Sequence, residues 1–401
     1  MAVEVRHPQE DELRAAMVAG TAGFGDELKD EDFERHSKTM PLDRFYAAYD
    51  NGRPIATTGA YPFRLTIPGG ELPAGGVTWV AVLPSHRRRG ILTAMMRKQL
   101  DDLHERGEPL AILWASEAPI YGRFGYGMAA PSMDMNAQRD RFAYRDDPGP
   151  TGAVRLVDRD EARALFPPIY DAVRPQIPGF VTRTDDWWDK YRLADPEQWR
   201  RGAGVKFYAV LELDGQPAGY AMYRIKSEWE HGYSKSQLRV VEAFALSPTA
   251  TRELWRFLFG IDLIERVRAG VDPATPLLLL TTDPRSLHLE LYEGLWLRFV
   301  DLEPALAGRG YATDDHVIVE VRDDFCPWNA GRWRLGPDSG RTDEDPELEL
   351  DVGDLASAYL GAFDFHRLAA AERVRELKPG ALERATALFR TSRPPYCPED
   401  F

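Results

Sequence analysis

Apolar and polar positions along the first third of the chain follow two periods. Val3 to Arg6 reads as a short strand, and the charged stretch through Lys38 carries apolar residues at helical spacing, enough for two helices. Arg44 to Tyr49 and Pro54 to Thr66 read as antiparallel strands joined by Asp50-Asn51-Gly52, residues that tolerate positive φ. Pro68-Gly69-Gly70 and Pro73 to Gly76 interrupt the pattern. Val77 to Leu83 is apolar on both alternating faces, which predicts a buried central strand ended by Pro84. From Gly90, the residues Leu92, Met95, Met96, Leu100 and Leu103 recur at helical spacing up to a stop at Gly107. Pro109 to Ala115 is a further apolar strand. The order strand, loop, helix, strand predicts a right-handed crossover, and the antiparallel strands before it make the sheet mixed.

After the Asp-, Arg- and Pro-rich linker Asp140 to Pro150 the pattern restarts. Val154 to Val157 reads as a strand, Arg159 to Leu165 as a helix, and Val205 to Leu213 with Pro217 to Ile225 as a hairpin turning at Asp214-Gly215-Gln216. Leu238 to Leu246 resembles the earlier buried strand, and an amphipathic helix runs from Glu253 to Arg268. The loop between them, Ser247 to Arg252, holds neither an arginine triplet nor a glycine. Trp187 and Trp188 fall in the core of this region or at its interface with the first. From about Leu295 the order changes to strands (Trp296 to Val300, Val317 to Val321, Gly331 to Leu335, Glu347 to Val352) with helices at Gly353 to Leu360 and Ala369 to Leu377, an α+β pattern. Three domains are expected, at 1–150, 151–294 and 295–401.

Composition narrows the class. A chain of 401 residues exceeds one hydrophobic core, and 44% hydrophobic with 11% aromatic residues argues against disorder. The N-terminus is charged where a signal peptide needs an apolar run, and Pro276 to Leu280 is too short to span a bilayer. The expectation is a soluble cytoplasmic protein with no membrane partner. Cys326 and Cys397 lack the spacing of a zinc site or a disulfide framework, no histidine pair sits at ligand spacing, and no P-loop occurs, so no metal is expected. A formal net charge of −14 disfavours nucleic acid and favours cationic small molecules.

The loop Pro84-Ser85-His86-Arg87-Arg88-Arg89-Gly90 carries the chemistry. A helix N-terminus offers backbone N–H groups without intrahelical partners and the positive end of the macrodipole, so it binds phosphate oxygens. Gly90 permits close approach and the arginines add cationic donors. The same residues also read as a basic surface turn or a nucleic-acid contact. Their position between a buried strand and an amphipathic helix favours the anion site. Tyr121, close behind the strand Pro109 to Ala115, is placed as a proton donor or, with Phe124 and Tyr126, as a packing aromatic. The tail Arg393 to Phe401 combines prolines with aromatics and so looks docked. Asp26, Glu27, Glu399 and Asp400 are candidate carboxylates for a cationic substrate, Asp26 and Asp400 foremost, with Trp79 as an apolar or cation–π wall. His86, beside three arginines, reads as a cap or a phosphate contact.

The run Arg87-Arg88-Arg89-Gly90-Ile91-Leu92 resembles the cofactor loop of the GNAT acyltransferase superfamily: Arg or Gln, two residues, Gly, one residue, then Gly or Ala. Leu92 departs from that last small position. VAVLPSHRRRGILTAMM, ASEAPIYGRFGYG, a length near 400 and the terminal Phe401 resemble more closely the Eis family of aminoglycoside N-acetyltransferases. That resemblance implies a mixed α/β (α+β) chain of tandem GNAT folds, the second degenerate and without cofactor, then a sterol carrier protein-like domain. It implies acetyl-CoA as co-substrate. The backbone of Val80, Ala81 and Val82 would take the pantetheine arm and thioester carbonyl; Arg87, Arg88, Arg89, Gly90, Ile91, Leu92 and Thr93 the pyrophosphate; and Ser116 and Glu117 would lie further along the cofactor. Tyr121 becomes the general acid, with Tyr126 as its decoy, the Phe401 terminal carboxylate becomes the general base, and the assembly a homohexamer. The competing expectation is a coenzyme A-sensing or lipid-binding module without turnover. Polyamines, peptides and protein lysines are alternative acceptors.

Overall fold

Strands of the N-terminal region pair in the order in which they leave the chain. In the computed structural model, which describes residues 3–401, β1 (Glu4–Arg6) leads through helices α1 (Leu13–Gly23) and α2 (Asp30–Thr39) to β2 (Phe45–Asp50), β3 (Arg53–Ile67) and β4 (Gly70–Val82). These four strands pair antiparallel in sequence. Helix α3 (Ile91–Glu105) then crosses over to β5 (Leu110–Trp114), parallel to β4. Its stripe Met96, Leu100 and Leu103 packs on Ala60, Val77, Ala111 and Leu113, each fully buried side chain of this kind stabilising by about 1.5–3 kcal/mol. Pro73 to Gly76 do not interrupt the sheet as expected. They belong to β4, and Pro73 precedes the β5 ladder, where the strand has a neighbour on one side and tolerates proline.

Contacts divide the chain into two compact units. The first takes the residues up to Ala130, Gly294–Pro395 and Glu399–Phe401; the second takes Pro131–Glu293 and Tyr396–Pro398. In the first, Leu295–Phe299 pairs antiparallel with β5, so the strand expected at Trp296 extends the first sheet and not the C-terminal one. Arg298, fully buried on that strand, donates to both oxygens of Asp323 at 2.8 and 2.6 Å. Beyond it lies a five-stranded sheet centred on Val317–Arg322, flanked by Gly331–Leu335 (antiparallel) and Leu348–Asp351 (parallel). The helix expected at Ala369 to Leu377 is instead a helix at Phe365–Ala370 and an edge strand at Val374–Glu376. The local alanine run favours helix, but Glu372 turns left-handed (φ 59°) and Val374 pairs with Leu350. Helices Leu302–Gly308 and Ala381–Phe389 come in addition to the elements expected from the sequence pattern.

The strands of the second unit are again mixed, antiparallel with one parallel pair. Ala153–Val157, Phe207–Leu213, Gln216–Lys226 and Gln237–Ala245 pair antiparallel in turn, and Gln237–Ala245 lies parallel to Arg266–Val271 across the helix Pro248–Gly260. The helix expected at Glu253 to Arg268 therefore starts earlier and ends at Gly260, and Val267, Ala269 and Val271 alternate inward as a strand. The helix expected to end at Leu165 continues through Pro167 and Pro168 to Val173. Burial of Phe166, Ile169, Tyr170 and Val173 outweighs the lost helix hydrogen bonds. Trp187 and Trp188 are buried, Trp188 edge-on to Tyr170. Glu242, 6% exposed, accepts from Arg183 on both oxygens and from Arg192 at 2.6 Å and the Tyr220 hydroxyl. Tyr396 docks here through its N–H to Pro178 O at 2.9 Å. Among the described residues no helix is long and apolar enough to cross a membrane, and no group of His, Cys, Asp and Glu is arranged to hold a metal.

Candidate active site

β4 and β5 share only three ladder pairs, Ala74↔Leu110, Gly75↔Ala111 and Gly76↔Ile112. Past Gly76 the strands part, and Val77 to Val82 keep β3 as their partner. The stretch expected to be buried on both faces is therefore buried at Val77 and Ala81 but half-exposed at Trp79, Val80 and Val82, because one edge faces a splay and not a strand. A bulge sharpens this: Thr57 opposes Ala81 and Gly59 opposes Thr78, so Thr58 faces both Trp79 and Val80. Trp79 takes φ 57° there, an unusual conformation for a bulky residue. Its indole stacks edge-on against His36 at 5.0 Å and Phe45 at 5.9 Å. Burial, then the neighbouring Arg35, pushes the His36 imidazole down to about 4, so it stays neutral at physiological pH.

The arginine loop closes the far end of β4. Arg88 (φ 64°) and Gly90 (φ 78°) turn left-handed, and Gly90 caps α3 without a side-chain hydrogen bond. The first helical bond runs from Ala94 N–H to Gly90 O, which leaves the N–H groups of Ile91, Leu92 and Thr93 without intrahelical acceptors. Arg87 differs from its neighbours. It donates to Gly23 O at 3.1 Å and to Val82 O at 3.4 Å, tying the loop to α1 and β4. His86 Nε2 lies 3.4 Å from Asp50 Oδ2, the carboxylate that also faces Arg89 at 4.0 Å. Arg88, Arg89 and Gly90 at the head of the helix are exposed.

β5 runs into two short turns, Ala118–Ile120 and Gly122–Phe124, with Tyr121 between them, 4% exposed. Burial foremost raises its phenol above the ordinary range, Glu117 adding to it, while a hydrogen bond with Ser116 works the other way. Tyr126 stands edge-on to it at 5.9 Å, fully enclosed, with no partner for its hydroxyl among the described residues. Ser116 and Glu117 are exposed on the same turn. At the other end of the chain, the Phe401 ring packs edge-on against Phe63 at 5.1 Å, and a Cβ added at Gly76 would come within 3.3 Å of it. Phe401 thus sits where β4 leaves β5. Glu399 is buried, whereas Asp400 and Asp26 are exposed, and Asp26 accepts from Glu27 N–H at 2.8 Å. Phe63, Gly76 and Thr57 are absent from the residues singled out in the sequence. Glycines inside a strand are a signal of close approach, but beside Pro73 the same glycines read as a break.

Known proteins resemble this chain along nearly its whole length. Acetyltransferase (GNAT) domain models match residues 4–129 and 179–298, and a sterol carrier protein domain model matches 302–398. The chain is 41% identical to an uncharacterized N-acetyltransferase of Streptomyces avermitilis over 92% of both chains. It is 35% identical to the N-acetyltransferase Eis of Mycobacterium tuberculosis over 98% of both. The crystal structure of Eis1 from Mycobacterium abscessus superposes with a TM-score of 0.87 at 34% identity, covering 99% of this chain and 100% of that one.

Proposed function

The chain belongs to the Eis family of GNAT N-acetyltransferases, and on that premise we propose that it moves the acetyl group of acetyl-CoA directly onto an amine of a polycationic small molecule such as an aminoglycoside. The observation that carries this reading is the seat of Phe401 against Phe63 and over Gly76, the last β4 residue paired with β5. A chain end held at that point supports its carboxylate as general base.

Arg88, Arg89 and the free N–H groups of Ile91, Leu92 and Thr93 hold the pyrophosphate in this reading. Arg87 braces the loop, Val80 to Val82 follow the pantetheine arm, and Ser116 and Glu117 lie further along. The acceptor nitrogen attacks the thioester carbon and surrenders its proton to the Phe401 carboxylate. A terminal carboxyl has an ordinary pKa of about 3.3–3.7, far below an ammonium, so the proton leaves as the C–N bond forms and acidifies the nitrogen. The Val80 N–H meets the developing oxyanion. As the C–S bond breaks, the sulfur takes the Tyr121 proton, which a raised phenol pKa keeps in place at neutral pH. A net charge of −14, with Asp26 and Asp400 exposed and Trp79 as a wall, supports a cationic acceptor. A homohexamer in the cytoplasm belongs to the same reading, and sedimentation tests the assembly.

The test is release of coenzyme A thiol from acetyl-CoA with a panel of aminoglycosides, polyamines and peptides. Turnover with the aminoglycosides is expected; silence with every amine overturns the proposal.

A further inference from the structure

The bulge in β4 is held from outside the strand. Thr57, fully buried on β3, donates its hydroxyl to Trp79 O at 2.7 Å. Trp79 is the residue with φ 57°, and its carbonyl belongs to the Trp79–Val80 peptide. In a trans peptide the C=O and N–H point in opposite directions. A carbonyl drawn to the Thr57 hydroxyl therefore turns the Val80 N–H away from that hydroxyl. The β4–β5 ladder has already ended at Gly76, so no β5 carbonyl pairs with it there.

The surroundings fit a clamp and not ordinary packing. On α1, a Cβ at Gly20 would stand 2.6 Å from the Thr57 oxygen and 3.1 Å from the Trp79 ring. The helix thus closes on the pair from the other side, at a glycine where any side chain would clash with both. A left-handed bulky residue is strained and persists where its surroundings over-determine it. Here one hydroxyl and one close helix supply the constraint.

We infer that Thr57 is a positioning residue, aiming the Val80 N–H at the carbonyl oxygen of the acyl donor through its hydrogen bond to Trp79. This rests on the acetyltransferase reading above, and the experiment separates the two. Thr57→Val keeps the shape and removes the donor, while Thr57→Ser keeps the donor and removes a methyl. Loss of one oxyanion donor costs roughly 10²–10³ in kcat, and misaiming one is expected to cost roughly 30-fold.

Thr57→Val should therefore lose kcat to that extent with KM for acetyl-CoA little changed, and Thr57→Ser should restore it. In protein labelled with ¹⁵N-valine, acetyl-CoA should shift the Val80 amide resonance of the wild type and of Thr57→Ser alike, and that of Thr57→Val clearly less. A Thr57→Val protein with wild-type kcat, or a Thr57→Ser protein equally impaired, overturns the inference and leaves the acetyltransferase reading standing. If no amine is turned over by any of the proteins, that reading falls, and the amide shift alone decides: the same Val80 response in wild type and Thr57→Val overturns the clamp.

Discussion

Appending one glycine after Phe401 isolates the chain end from everything else in the site. One residue adds about 3.5 Å of chain, more than the full length of a hydrogen bond, so a carboxylate acting as base no longer meets its proton. The ring has no reason to move. Phe401 keeps its 5.1 Å contact with Phe63, and Glu399, 1% exposed, keeps the tail in place. The loss therefore falls on kcat while acetyl-CoA binding is spared. General-base catalysis contributes roughly 10²–10⁴-fold, which at 1.36 kcal/mol per tenfold is about 3–5 kcal/mol of barrier. Steady-state thiol release, with acetyl-CoA and acceptor varied in turn, reads both parameters. Phe401→Ala keeps the terminal position but gives up a ring contact worth about 0.5–1.5 kcal/mol, so its carboxylate wanders and the expected loss is intermediate. An extended protein that turns over at the wild-type rate refutes the terminal base.

Tyr121→Phe is expected to lower kcat roughly 100-fold, whereas Tyr126→Phe, which removes a buried hydroxyl without a partner, leaves kcat unchanged and raises Tm; equal losses would remove any special role for Tyr121. His36 is held down to about 4 in the folded chain against about 6.5 unfolded. Its stabilising contribution is whole above pH 6.5 and is lost as pH falls from 6.5 towards 4, where the unfolded chain binds the proton first. Urea unfolding across that window should show a slope of up to about 1.4 kcal/mol per pH unit that His36→Gln reduces; an identical profile for the variant refutes it. Glu242→Ala takes a buried counter-charge from Arg183, itself buried, and from the partly buried Arg192, and should cost about 3–5 kcal/mol in the same assay; a loss below about 1 kcal/mol would show that the two arginines are held by other contacts.

The sequence by itself determined the elements whose causes are local. The β2–β3 hairpin follows from Asp50-Asn51-Gly52, and α3 from its apolar spacing between Gly90 and Gly107, so the place of the arginine loop is legible in the chain alone. The family likeness is legible for the same reason, since its motifs are contiguous runs. Expectation and fold part where local signals compete with distant pairing. Ala369 to Leu377 has helical composition, yet Val374 gains more as an edge strand beside Leu350. Arg266 to Arg268 reads as the end of the preceding helix, yet it opens a strand, Arg266–Val271, whose alternate residues turn inward beside Gln237–Ala245. Only the tertiary structure decided that β4 leaves β5 at Gly76, that the last ring of the chain settles at that point, and that Thr57 holds the Trp79 carbonyl. Each joins residues far apart along the chain, and such contacts depend on packing and close approach, which the spacing of residues in a sequence does not encode.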